Sequence, residues 1–281
     1  MRKGDTVVAD GGHTHSAEAT LRQRRPLAGF GAAFRAEIAK GKRTAARKTA
    51  LIAPLPVCLM GLMSSGIVTG GLGPGGVGYN TYGWCYWYTL LLPVAIALIS
   101  AGVAGIDTRG KLHGVMGSPV DLRAVWRAKA AYALVLVVCA NAVVALCSIV
   151  AHALGGSAAG GAASLAMAAL LTFSSLWMVP AGLFLTMRIG TLAGIVAPLL
   201  VQLAGGIAFY GSAFWWLFPP AAAMRLCSPF AGVAPSGVPL TANDAYGIVD
   251  VQWFLALGIA VFAGCALVIV GGAWFRRQEA K

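Results

Sequence analysis

Six long apolar runs without a single Asp, Glu, Lys or Arg constrain this chain more than any other feature. They cover residues 50–72, 84–106, 130–151, 164–186, 189–210 and 251–274. A helix of about 20 apolar residues crosses the roughly 30 Å hydrocarbon core of a bilayer, where an open backbone finds no water to bond with. The sequence therefore predicts an all-α integral membrane protein with six transmembrane helices. The fourth and fifth runs nearly touch, which predicts a tight hairpin at Arg188 and Gly190.

The basic residues are placed on one side of these runs. With six spans both ends of the chain share a side, and all of the 21 Lys and Arg residues except Arg225 fall on that side. Because Lys and Arg accumulate in cytoplasmic flanks, we expect a multi-pass protein of the cell membrane with cytoplasmic N- and C-termini. Topology and contact with anionic membrane lipids account for the net charge of +12, so no nucleic-acid partner is expected.

The region before the first run divides into two parts. Residues 1–26 lack periodicity and are predicted to be a disordered cytoplasmic tail. Residues 27–48 show apolar side chains at helical spacing, which predicts an amphipathic helix in the inner membrane interface. A solvated basic flank is the alternative, since several glycines weaken the helix. The apolar positions are Leu27, Phe30, Phe34 and Ile38, and Arg35 belongs to the basic side.

The connection between the second and third runs contains a helix-start signal. Ser118 can cap the helix, Pro119 fits its first turn and Asp121 can meet free amides. The residues that follow predict an apolar stripe and a separate basic face. The stripe consists of Leu122, Val125 and Trp126, and the basic face of Arg123 and Arg127. This helix is interpreted either as a positively charged anchor of the third span or as a docking helix for a soluble partner.

Polar residues inside the runs admit two readings. Asn141 and Gln202 are expected to join neighbouring helices by hydrogen bonds, and lining a transport pathway is the alternative. Between the fifth and sixth runs, the apolar half of residues 211–250 is too short to span again, and Pro219 with Pro220 would break a continuous helix, so a re-entrant or surface-lying helical pair is expected. Cys85 and Cys227 both fall on the outer side, where a disulfide can form if their geometry permits.

The aromatic residues around the start of the second run are interpreted as an interfacial belt. Rings with a polar edge concentrate at the depth of the lipid headgroups, and a ligand-binding cluster is the alternative. The residues are Tyr79, Tyr82, Trp84, Tyr86, Trp87 and Tyr88.

Five segments in order resemble a known family. They are AFRAEIAKGKRT, NTYGWCYWYTLLLPVAIALIS, GKLHGVMGSPVDLRAVWRAK, LTMRIG and PFAGVAPSGVPL. Together they are similar to the membrane subunits of type-2 ATP-binding-cassette (ABC) exporters, and most of all to lantibiotic-immunity permeases. Relatives often carry several acidic residues after the second span, where this chain has only Asp107.

The resemblance implies a division of the chain and a set of partners. Residues 49–281 would be the permease domain, Ser118 to Lys129 the coupling helix that contacts an ATPase subunit, and Leu27 to Arg43 the connecting helix. A second permease copy or a sister permease would complete a dimer. The implied function is ATP-driven export of an amphipathic, lantibiotic-like peptide or a lipophilic drug, and so immunity or antibiotic resistance.

The sequence also weighs against other classes. No phosphate-binding loop of the form GxxxxGK[ST] occurs, so ATP and Mg²⁺ are expected on the partner subunit, and this chain is not expected to be an enzyme or to bind a cofactor or metal itself. An ion-gradient-driven secondary transporter is the second hypothesis, although such proteins usually carry an acid within a span. An intramembrane enzyme is the third, and no spacing resembles a nucleophile and its base.

Overall fold

Helices make up the ordered framework of the chain. The computed structural model describes residues 29–42, 44–67, 78–108 and 121–277. Within these ranges there is no β-strand, and the only β-bridge is an isolated antiparallel one between Val233 and Pro239. The prediction of an all-α membrane protein is confirmed at this level, since six helices are long and apolar enough to cross a membrane.

The six candidate spans run alternately up and down between two ends of the bundle. They are span 1 (Ala45–Ser64), span 2 (Asn80–Asp107), span 3 (Leu122–Ala153), span 4 (Gly161–Arg188), span 5 (Thr191–Phe209) and span 6 (Val251–Arg276). Helix α1 (Phe30–Gly41) precedes them. The end that carries α1 is called the basic end below and the opposite end the outer end. Two limits differ from the predicted ones by eight residues: span 1 ends at Ser64 rather than Leu72, and span 3 begins at Leu122 rather than Ala130.

Two spans are interrupted partway along. Span 1 consists of α2 (Ala45–Ile52) and α3 (Leu55–Ser64), and Pro54 lies at the break. Span 4 consists of α6 (Gly161–Ser174) and α7 (Met178–Arg188). Pro180 lies in the first turn of α7, where a missing N–H breaks no helical bond. The other spans contain α4 (Leu92–Thr108), α5 (Leu122–Ala153), α8 (Thr191–Phe209) and, last in the chain, α11 (Val251–Arg276).

The connection between spans 4 and 5 is a tight hairpin. Helix α7 ends at Arg188 and α8 begins at Thr191. Gly190 between them has a φ angle of +137°, a backbone conformation that residues other than glycine rarely adopt. Gly194 then packs directly on Thr186, because a Cβ at this glycine would collide with the threonine side chain. Spans 4 and 5 are therefore packed closely together where the hairpin joins them, at the basic end.

The aromatic residues at the start of span 2 form the core of the outer end. The interpretation as an interfacial belt is wrong for Tyr79, Trp84, Trp87 and Tyr88, whose side chains are fully buried. Three of these rings find polar partners inside the bundle. Tyr79 OH donates to the carbonyl of Val144 (3.0 Å), Trp84 Nε1 to Ser148 Oγ (3.1 Å) and Trp87 Nε1 to Asn141 Oδ1 (2.8 Å). Because all three acceptors lie on span 3, the polar edges of the rings join spans 2 and 3.

The segment between spans 5 and 6 contains two short helices, α9 (Pro219–Arg225) and α10 (Ser228–Ala231). Gln202 Nε2 of span 5 donates to the carbonyl of Pro220 (3.0 Å). Gln202 precedes the end of α8 at Phe209 by about two turns, so α9 begins roughly 10 Å inside the outer end of that helix. The side chain of Arg225 closes this segment, with its guanidinium carbon 4.4 Å from the ring centroid of Trp215 and 4.7 Å from that of Tyr246.

Cys85 and Cys227 are both free thiols in this structure and are buried. Cys85 Sγ lies 3.4 Å from the carbonyl of Pro235, and Cys227 Sγ lies 3.9 Å from that of Met167. Each thiol therefore packs as a small apolar side chain within the outer end.

Spans 3 and 6 pack closely against each other at Trp126 and Gly271. The indole of Trp126 is fully buried and donates from Nε1 to the carbonyl of Val268 (2.9 Å). A Cβ at Gly271 would overlap this ring, so only a glycine permits the approach.

We expect Gly271→Ala to lower the free energy of unfolding by about 1–3 kcal/mol, because the added methyl group must displace a ring that is already fixed. Gly258→Ala is the matched control, since a Cβ at Gly258 on the same helix meets no neighbour. Thermal unfolding of both purified variants in detergent measures the difference. Equal midpoints for the two variants would contradict the close crossing.

Candidate functional site: a buried charge cluster

Four charged side chains meet at the basic end of the bundle, where α1 lies against spans 2 and 3. Glu37 and Lys40 come from α1, Asp107 from the last turn of span 2 and Lys129 from the beginning of span 3. We call these four residues the charge cluster.

Each carboxylate of the charge cluster contacts both lysines. Lys129 Nζ lies 2.8 Å from Glu37 Oε2 and 2.6 Å from Asp107 Oδ2. Lys40 Nζ lies 3.0 Å from Glu37 Oε1 and 3.2 Å from Asp107 Oδ1. The four groups thus form a closed ring of alternating charge whose formal sum is zero.

Burial makes the pairing necessary. The side chains of Lys129 and Glu37 are 0% and 2% exposed, Asp107 is 8% exposed, and only Lys40 reaches solvent, with 35% of its side chain exposed. Removing charges from water costs several kcal/mol per ion, which close and well-bonded partners offset. The loss of any one member would leave an uncompensated charge inside the protein.

The pKa of Lys40 reflects the same balance. Burial by itself lowers the pKa of this lysine, but the hydrogen bond and charge of Glu37, together with those of Asp107, outweigh burial and raise the pKa above its ordinary value. A raised pKa in the folded state means that the contribution of Lys40 to stability is complete at neutral pH and is lost only as the pH rises through that value.

Asp107 occupies a position that is unfavourable without its partners. It lies in the last turn of α4, where the helix dipole presents its negative end. Two ammonium groups within hydrogen-bonding distance reverse the local potential. The two lysines therefore compensate both the burial and the helix dipole.

A second set of contacts holds α1 beside the charge cluster. Arg47 of span 1 donates from Nε to Tyr132 OH (2.8 Å) and from Nη2 to the carbonyl of Ile38 (2.9 Å). Gly41, the last residue of α1, packs so closely on Tyr132 that a Cβ would overlap the phenol. The N-terminal helix is thus fixed to spans 1, 2 and 3 as one unit.

The predicted connecting-helix residues divide between the two faces of α1. Phe34 and Ile38 are half-buried against the core, whereas Phe30 and Arg35 are exposed. Glu37 on the same helix is turned inward and accepts a hydrogen bond from Lys129.

The predicted coupling residues are placed differently from expectation. Ser118 and Pro119 lie outside the described residues, and the described helix begins at Leu122 with Asp121 as its cap, Oδ1 accepting from the Arg123 N–H (3.0 Å). The helix continues into span 3 without a break. The expected docking stripe is buried in the core of the chain, where Trp126 packs against Gly271 of span 6. The stripe residues are Leu122, Val125 and Trp126.

Asn141 and Gln202, the candidate pathway-lining residues, are both buried and join helices. Asn141 accepts from Trp87 and donates from Nδ2 to Thr172 Oγ1 (3.0 Å), which ties spans 2, 3 and 4 together at one level. Gln202 ties span 5 to α9. Both side chains therefore form hydrogen bonds between neighbouring helices.

The charge cluster escaped the sequence interpretation, although one signal pointed to it. On a helix that begins at Leu122, position 129 falls on the same face as the apolar residues 122, 125 and 126. A lysine on a buried face requires an acidic partner. That partner, Glu37, is 92 positions away in the chain, so spacing alone could not identify it.

Comparison with known proteins adds no relative: no family model, no curated protein and no solved structure matches the chain. Within the described ranges no group of three or more His, Cys, Asp or Glu side chains is placed to hold a metal ion. The function must therefore be argued from the geometry of the site itself.

We expect Lys129→Met to lower the free energy of unfolding by about 3–5 kcal/mol, because two buried carboxylates then share one lysine. Adding Glu37→Gln should restore part of this loss, since it removes the carboxylate that has lost its partner. Chemical or thermal unfolding in detergent measures both effects.

Lys42→Met is the matched control, because Lys42 is exposed at the end of α1 and should change stability by less than about 0.5 kcal/mol. A single variant no less stable than this control, or a double variant less stable than the single one, would contradict the pairing.

Proposed function

We propose that this chain is the membrane-spanning permease subunit of an ATP-driven exporter of the type-2 ABC class. It carries an amphipathic peptide or a lipophilic drug out of the membrane, and it works as a dimer with a second copy or a sister permease. The observation that carries the proposal is the charge cluster, because it attaches a helix at the basic end directly to two candidate spans.

The arrangement of the helices supports the proposal. The resemblance implies a connecting helix before the first span, a coupling segment between spans 2 and 3, and a helical pair between spans 5 and 6. Helix α1 lies against the ends of spans 2 and 3, and α9 and α10 follow span 5. Two members of the charge cluster flank the connection between spans 2 and 3 in the chain, because Asp107 comes just before residues 109–120 and Lys129 comes two helical turns after Leu122.

In this mechanism the ATPase subunit binds the exposed face of α1 together with the connection of residues 109–121. Arg35 and Lys42 are exposed on and just after α1 and offer cationic contacts to an acidic surface. Closure of the ATPase subunits then displaces α1. Because the charge cluster makes separation costly, spans 2 and 3 follow α1 as a rigid unit and shift the bundle between inward- and outward-facing states.

A secondary transporter is the alternative function. Such a protein needs an acid that can take up and release an ion within the membrane. Here Glu37 and Asp107 each contact both lysines, so neither acid is free to hold an ion. The charge balance of the cluster favours a structural joint over an ion site.

The proposal requires the basic end to face the cytoplasm, and labelling of intact cells tests this. Ile189 is exposed in the hairpin at the basic end, and Ala242 is exposed at the outer end. We expect a membrane-impermeant maleimide to label an Ala242→Cys variant in intact cells, and an Ile189→Cys variant only after permeabilisation. The unsubstituted protein controls for the six native cysteines. The reverse pattern would place the basic end outside and remove the proposed docking surface.

The exporter itself is tested with an ATPase subunit encoded beside this chain. We expect the purified chain alone to hydrolyse no ATP and the co-expressed pair to form a complex that does. The Glu37→Gln, Lys129→Met double variant should keep ATP hydrolysis in the complex while peptide or drug export falls by about tenfold or more. In this variant α1 keeps only the ion pair of Lys40 with Asp107 of span 2 and has no charged contact with span 3.

Lys42→Met is the control, because it removes one cation and leaves the charge cluster intact, and it should keep full export. Export by the isolated chain under an ion gradient, or full export by the double variant in the complex, would contradict the proposed mechanism.

A further inference from the structure

An apolar surface groove is lined by residues of spans 3, 4 and 6. It has a volume of about 420 Å³, within the range of about 300–1,000 Å³ typical of ligand pockets. Its walls are apolar apart from one guanidinium at the basic end. The lining residues that define its length are Arg127, Ala131, Leu134, Leu176, Cys265 and Val268.

The groove exists because small residues lie between two close contacts. At the basic end Trp126 meets Gly271, and farther along the bundle the side chain of Leu176 packs directly on Gly264. Between these contacts span 3 presents Ala130 and Ala131, which leave a gap that larger side chains would fill. The groove is open to the surroundings on one side.

The mouth of the groove at the basic end carries two arginines. A smaller cavity of about 240 Å³ adjoins the groove and is lined by Arg123, Arg127 and the last turns of span 6. Arg127 Nε donates to the carbonyl of Arg123 (3.3 Å). This bond holds the guanidinium of Arg127 beside the helical turn that carries Arg123. Among the described residues neither arginine forms an ion pair with a carboxylate. Two cations therefore face the mouth without an anionic partner from these parts of the chain.

The dimensions of the groove correspond to one leaflet of a bilayer. Along span 3 the distance from Arg123 to Leu134 is about 16 Å at 1.5 Å per residue. Half of a hydrocarbon core of about 30 Å is roughly 15 Å. A lipid chain that begins at the arginines would therefore end near the middle of the membrane.

We propose that this groove binds an anionic phospholipid of the leaflet at the basic end. One acyl chain lies between spans 3 and 6, and the phosphate group accepts hydrogen bonds from Arg123 and Arg127. Charge complementarity selects this occupant, because a cationic mouth above apolar walls matches an anionic headgroup joined to a hydrocarbon chain. The exposed apolar face of span 6, which includes Phe262, Ile269 and Val270, places the groove where lipid has access. The inference goes beyond transport and does not depend on an ATPase partner.

Native mass spectrometry of the purified chain tests the site. We expect wild-type protein titrated with phosphatidylglycerol to keep one lipid more tightly than it keeps phosphatidylcholine. The Arg123→Gln, Arg127→Gln double variant should lose about 10- to 30-fold in phosphatidylglycerol affinity, since each cation near an anionic headgroup contributes to binding. The Arg276→Gln, Arg277→Gln double variant is the charge-matched control, because these exposed arginines end the same groove-forming helix without lining the groove.

A second variant separates the groove from the charges alone. Ala131→Phe fills the groove and keeps both arginines, so we expect it also to lose the tightly held lipid, with thermal unfolding in phosphatidylcholine confirming that the variant is folded. Inorganic phosphate added instead of lipid should neither stabilise the protein nor compete for the site. Equal phosphatidylglycerol affinity in wild type and in either groove variant would overturn the proposal, as would an equal loss in the control pair or competition by phosphate.

Discussion

The ion pairs of Lys129 with Glu37 and Asp107 determine how the basic end of this protein is built. A lysine side chain with no solvent exposure cannot remain charged without acidic partners at contact distance, and here both partners come from other helices. Helix α1 is consequently part of the bundle. An amphipathic helix that merely rests on a membrane can leave it at modest cost, whereas α1 would leave a buried charge behind.

The two ends of the bundle are held together by different chemistry. The basic end depends on a few strong charged contacts and on one arginine bonded to a tyrosine. The outer end depends on large rings whose polar edges are satisfied by neutral groups, as in the pairing of Trp87 with Asn141. Ion pairs resist separation of the helices but allow the bonded side chains to rotate. Closely packed aromatic rings resist both separation and rotation. Between these two sets of contacts, spans 1 and 4 are each interrupted, span 1 at Pro54 and span 4 between Ser174 and Met178.

The sequence predicted the features that depend on local composition. Uncharged runs gave the number of candidate spans, and Arg188 followed by Gly190 marked the hairpin, because both signals lie within a single segment. The burial of Trp84 and Trp87 was not predictable in the same way. An indole suits a membrane interface and a packed core equally well, and the choice depends on whether another helix offers an acceptor. The burial of Glu37 was likewise not predictable from the sequence, since its partner on span 3 is distant in the chain.

The three cations at the start of span 3 show why a count of charges along the chain is insufficient. All three contribute equally to the excess of positive charge at this end, yet they serve different purposes. Position 129 is seven residues after Leu122 and returns to the buried face of the helix, so Lys129 joins the core through acidic partners. Positions 123 and 127 are four residues apart on another face, so Arg123 and Arg127 point to the mouth of the groove. Helical periodicity, rather than charge, separates the lysine that joins the helices from the arginines that remain available to the membrane.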